Sequence, residues 1–196
     1  MEEMVEALER IEKKLIASSD VYGALNYASW TIILGLYLAL DTIIYSCCRT
    51  TGHFWYITGV FWALAFVFIF YINALVWKKV RHLREYHRKG IWSIMILGWI
   101  IGGIIWTILP VLWNPQSSIL GFLIFIICGN MGISIAIRDY RPLMPVITSA
   151  LATLMVIWGN TGQGYMGWSL GTEFVLVGYS LSTLLYLWSA FTLVGE

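Results

Sequence analysis

Long apolar runs almost free of charge, broken by short clusters of Lys and Arg, constrain this chain more than any other feature. A helix needs about 20 mostly apolar residues to cross about 30 Å of hydrocarbon. Six stretches meet or approach that length: residues 22–46, 54–77, 91–112, 118–137, 143–158 and 169–194. The fifth is the shortest and begins among Pro142 and Pro145, which predicts an irregular start. Transmembrane strands would need segments of about 10 residues alternating apolar with polar, and these runs are continuous and longer. Composition agrees: 59% of the 196 residues are hydrophobic and 12% charged, against about 45–50% and about 25% in soluble domains. A soluble globule and a disordered chain are excluded. With a formal net charge of +1, so is a nucleic-acid binder, which needs a strongly basic surface. The expected fold is all-α: a polytopic membrane protein with six transmembrane helices.

Lys and Arg orient the spans, because loops rich in them stay in the cytoplasm. Arg10, Lys13 and Lys14 precede span one. Lys78, Lys79, Arg81, Arg84, Arg88 and Lys89 follow span two, and Arg138 and Arg141 follow span four. With six spans these segments fall on one side, leaving only Arg49 on the other. The chain is therefore expected in the cell membrane with both termini cytoplasmic. Boundary aromatics such as Trp77, Trp92, Trp113, Trp158 and Trp168 suit the interfaces. The six basic residues after span two form an anchor that also suits anionic lipid headgroups. Arg138-Asp139-Tyr140-Arg141 reads as a tight turn carrying a further positive anchor.

Residues 1–20 read as a separate cytoplasmic helix ahead of a transmembrane domain at 21–196. Met4, Leu8, Ile11 and Leu15 recur at spacings of four, three and four, one apolar stripe. Five glutamates crowd the first turns and Lys13 and Lys14 come late, as the helix dipole favours. The acidic start argues against a cleavable signal peptide. The stripe is expected to dock on a protein surface, with the membrane surface as the alternative.

Within the spans, Gly98-x-x-x-Gly102-Gly103, Gly35-x-x-x-Ala39, Gly59-x-x-x-Ala63 and Ala24-x-x-x-Ala28 would let helices approach closely. Trp113-Asn114-Pro115-Gln116 and Trp158-Gly159-Asn160-Thr161-Gly162-Gln163 form a weak internal echo, as consistent with chance as with repeated hairpins.

No catalytic set is legible. Lysine is confined to the basic segments, His53, His82 and His87 fall in loops or at span ends, and no Cys, His, Asp and Glu grouping has metal-ligand spacing. Cys47, Cys48 and Cys128 read as small apolar fillers rather than a disulfide framework. No catalytic residue, metal or cofactor is expected. Two acids lie inside spans, Asp41 and Glu173, and an intramembrane carboxylate is a functional candidate by default. They either share an outward-facing vestibule, binding a cation, a protonated amine or protons, or each snorkels or pairs locally. Trp113, Asn114, Asn160, Gln163 and Trp168 would line such a site with aromatic and amide groups, or form an ordinary interfacial belt. Asn26, Asn73 and Asn130 read as interhelical hydrogen-bond glue.

The leading functional expectation is a non-catalytic subunit or accessory protein of a membrane complex. It would sit in the bilayer with a membrane-protein partner or as a homo-oligomer. The alternative is a transport component, either a solute-binding subunit or a small oligomeric carrier, built around Asp41 and Glu173. A lipid-modifying enzyme is the third reading.

Overall fold

A computed structural model describes residues 2–48, 54–80, 91–113, 118–158 and 165–195. These form six α-helices and, among the described residues, no strand: α1 (Glu2–Cys48), α2 (Phe54–Val80), α3 (Ile91–Leu112), α4 (Ser118–Ile137), α5 (Leu143–Trp158) and α6 (Tyr165–Gly195). Five are long and apolar enough to cross a membrane, while α5 is shorter at 16 residues. At 1.5 Å per residue α5 spans about 24 Å, short of about 30 Å of hydrocarbon. The protein is thus an α-helical chain fit for a membrane.

The amphipathic segment and the first span are one uninterrupted helix of 47 residues, rather than two helices separated near residue 20. No Gly or Pro breaker lies between Ser18 and Tyr22, and at about 70 Å the helix is over twice the hydrocarbon thickness. Its buried face carries Asp20, Tyr27, Leu34 and Asp41 at seven-residue intervals, with Ala17, Ala24 and Ile44 beside them. That line faces the rest of the bundle.

Contacts between helices place them in the order α2–α1–α6–α5–α4–α3. The chain's first and last helices pack together, and α4 and α6 also meet across the bundle. Among the described residues no Cα of α2 lies within 8 Å of one of α3. The arrangement is a ring left open between those two helices.

Each seam closes by a different device. Helix α3 lies backbone to backbone on α4: a Cβ on Gly98 would come 2.6 Å from Cys128 O, and one on Gly102 2.8 Å from Phe125 Cα. Only glycine permits that approach. Gly103 and Gly59, by contrast, face open space, Ala63 is exposed, and Gly35 meets only Leu176. Helix α2 rests on α1 through rings, with Tyr37 5.1 Å from Trp62 and 5.8 Å from Phe61, and Trp30 6.3 Å from Phe66. Where α5 crosses α6, Gly178 leaves room for Pro145 and Thr148.

The α4–α5 turn is built locally. Arg138 adopts φ 54°, so the Asp139 N–H turns back to Ser134 O at 3.2 Å and closes α4. The Asp139 carboxylate then accepts the Arg141 N–H at 3.0 Å, an Asx turn that leads into Pro142 and α5.

Candidate functional site

The gap between α2 and α3 is a cleft of about 660 Å³, closed behind by α1, α4 and one residue of α6. Its volume falls within the range of small-molecule sites, about 300–1,000 Å³. Phe66, Ile69, Phe70 and Val76 of α2 form one wall, and Met95, Ile96, Trp99 and Ile100 of α3 the other. Tyr27, Trp30, Phe125, Ile133, Ile137 and Tyr186 line the back. Polar groups collect toward one end: Ser19, Asp20, Tyr22, Asn26 and, across the gap, Asn73. Asp20 is the one charged residue among those lining the cleft.

Behind that end lies a buried ionic cluster. Arg141 is 9% exposed and Asp20 1%. Arg141 Nη1 lies 2.9 Å from Asp20 Oδ2 and Nη2 2.7 Å from Asp139 Oδ2. Its Nε donates to both Asp139 oxygens at 3.0 and 2.9 Å. Tyr186 donates to Asp139 Oδ2 at 3.1 Å and places its ring 4.0 Å from the guanidinium carbon. Ser189 donates to Asp20 Oδ2 at 2.7 Å, and Ser182 to Arg141 O at 2.7 Å. The cluster joins α1, the α4–α5 turn and α6. Burial alone would raise the Asp139 carboxyl, but the hydrogen bonds and charge of Arg141 hold it below the usual carboxylate range. For Arg141 burial opposes the charge, and its two carboxylate partners outweigh that, so the guanidinium is held protonated.

Two carboxylates face one guanidinium, a net charge of −1. Arg138 is exposed and solvated. Asp20 Oδ1, moreover, has no hydrogen-bond partner and is buried, and the same holds for Asn26 Oδ1. Asn73 donates one amide N–H to Ile69 O of its own helix at 2.9 Å, which leaves its other N–H and its carbonyl oxygen. Deeper in the bundle, Tyr27 donates to Asn130 Oδ1 at 3.4 Å and Asn130 to Tyr179 Oη at 3.1 Å, tying α1, α4 and α6. Asn130 is the interhelical glue that its residue type suggests.

The expected site residues fall elsewhere. Asp41 is buried on α1 beyond the cleft, and Glu173 is exposed on α6, accepting from Ser169 Oγ at 2.9 Å on its own helix. Neither lines the cleft. Trp168 packs into the core 5.6 Å from Phe122, and Trp113 ends α3 at 71% exposure. Asn114, Asn160 and Gln163 lie outside the described residues, as do Arg81, Arg84, Arg88 and Lys89. Lys78 is exposed at the end of α2, and Lys79 follows within the same helix. Arg141 is no free anchor: its fork is turned inward onto Asp20 and Asp139. Met4, Leu8, Ile11 and Leu15 are exposed.

The sequence reading missed Asp20. The signal was its place on the seven-residue line of Tyr27, Leu34 and Asp41, which puts an acid on the packing face. Its pairing with Arg141, 121 residues on, had no local trace.

Among the described residues no group of His, Cys, Asp and Glu could hold a metal ion. Comparison with known proteins yields no match to a family model, a curated protein or a solved structure.

Proposed function

We propose that the protein is a non-catalytic membrane protein that binds a small amphipathic molecule in the cleft between α2 and α3, as the ligand-binding part of a transport or membrane-complex system. The observation that carries this is a cleft with apolar walls, polar at one end and open along the side between two helices whose described Cα atoms stay more than 8 Å apart. A molecule dissolved in the bilayer could enter sideways without leaving hydrocarbon. Asp20 and Trp30, both lining the cleft, are ten residues apart on one helix, about 15 Å. That is half the hydrocarbon thickness, the depth of one leaflet. Asp20, at the cleft's polar end, pairs with Arg141 in the connection after α4, and the positive-inside rule would assign that connection to the cytoplasm. Both termini would then be cytoplasmic, with α5 as the sixth, thin-spanning helix.

The test is recovery of the bound molecule. The purified full chain is extracted with organic solvent and the extract compared with that of Ile96→Trp, which fills the cleft from an exposed position. A stoichiometric lipid-like compound present in the first and depleted in the second is expected; equal extracts overturn the reading.

A second reading keeps the subunit role, because the stripe of Met4, Leu8, Ile11 and Leu15 is left uncovered at 66, 62, 56 and 39% exposure. Ser19, Tyr22 and Asn26 continue it at helical spacing into the cleft. Deleting residues 2–16 should release any co-purifying membrane-protein partner; an undiminished yield of partner refutes that role.

A further inference from the structure

From the polar end of the cleft we infer the chemical class of its occupant: an amphipath with a cationic, ammonium-type head, seated against Asp20 and Asn26. This rests on the reading of the cleft as a binding site and adds what the site selects. Asp20 lines the cleft with a side chain only 2% exposed and carries an unpartnered oxygen, and Asn26 carries a second unpartnered acceptor less than two turns along the same helix. Buried acceptors without donors are costly, by about 1–3 kcal/mol each, so a ligand that brings N–H or a diffuse positive charge is favoured. The ionic cluster behind is short of one positive charge, since Arg141 serves both Asp20 and Asp139. Among the described residues no Lys, Arg or His lines the cleft to attract an anion, and Arg141 reaches Asp20 from behind it. Tyr22, Trp30 and Phe70 bring aromatic rings into the same cleft, the surroundings in which ammonium groups are held by cation–π attraction. An anionic head would meet a cluster holding one more carboxylate than guanidinium, and a neutral one would leave that excess unanswered.

The experiment titrates the purified full chain, in maltoside micelles, with dodecylammonium, dodecanol and dodecanoate, read by thermophoresis. The cation should bind about tenfold tighter than the alcohol, the scale of about 1.4 kcal/mol for a hydrogen bond to a charged group, and the carboxylate weakest. Asp20→Asn should bring the cation and the alcohol to parity. Should that variant fail to fold for want of an Arg141 partner, Asn26→Leu leaves the ion pairs intact and should weaken the cation more than the alcohol, because the charged donor makes the stronger hydrogen bond. Equal binding of all three amphipaths to the wild type, abolished by Ile96→Trp, would overturn the cationic class and leave the cleft standing. Binding of none, or binding indifferent to Ile96→Trp, would overturn the cleft reading itself.

Discussion

The two lips of the cleft are fastened in opposite ways. Helix α3 touches α4 along glycine, with the backbones near contact at Gly98, Gly102 and Gly132. Helix α2 is kept off α1 by Tyr37, Trp30, Phe61 and Trp62, whose rings interleave without drawing the backbones together. In hydrocarbon there is no hydrophobic drive between helices, so close packing and polar contacts decide which surfaces stay joined. A glycine contact has one geometry, whereas a layer of rings can repack by changing rotamers. Helix α3 is therefore the more firmly fixed lip and α2 the one whose seating can adjust. Behind both stands the ionic cluster, which belongs to neither lip and holds the closed side of the ring.

Arg141→Leu should have the largest effect, since it leaves two buried carboxylates unpaired. Breaking a buried pair costs about 3–5 kcal/mol, and the purified variant should lose that much in thermal or denaturant unfolding. An unchanged melt would show that α1 and α6 are held without the cluster. Next come the glycines. Gly98→Val and Gly102→Val should destabilise by about 1–3 kcal/mol through overpacking, while Gly59→Val and Gly103→Val should stay within about 0.5 kcal/mol. Equal losses at the four positions would erase the contrast between the lips. Tyr179→Phe removes the hydroxyl that accepts from Asn130 and should cost about 0.6–2 kcal/mol, the scale of interhelical polar contacts.

The smallest effect is the pH dependence of Asp139. Its carboxyl is held below its ordinary value, so it binds fewer protons folded than unfolded. Its contribution is complete above the unfolded value of about 3.9 and is lost as the pH falls toward the lower folded value. Melts of the wild type and Asp139→Asn should therefore differ most at neutral pH and converge below about pH 4. A constant gap down to pH 3 would mean that folded and unfolded chains take up the proton alike, and that the carboxyl is not held below its ordinary value.

Much of this architecture was legible from residue order. The α4–α5 turn is an example: Asp139, Pro142 and the change of charge there announce a stop, and the structure shows a closed helix and an Asx turn. The role of Arg141 was not legible, because a basic residue after a span looks the same whether it reaches into water or folds back on a carboxylate. Gly98 and Gly59 stand in similar motifs, yet one meets a neighbouring backbone and the other open space. Small-residue spacing says that a helix can be approached and leaves open by which helix.

Run length and charge act locally along the chain, and so the residue order alone determined that this protein is helical and built for a bilayer, and that Lys and Arg gather at alternate connections. The ring order, its open seam between α2 and α3, and the meeting of Asp20 with Arg141 were decided only by the tertiary structure. Hydrocarbon treats every apolar helix face almost alike. The choice of neighbour therefore falls to a few small residues and buried polar groups, whose partners lie on other helices.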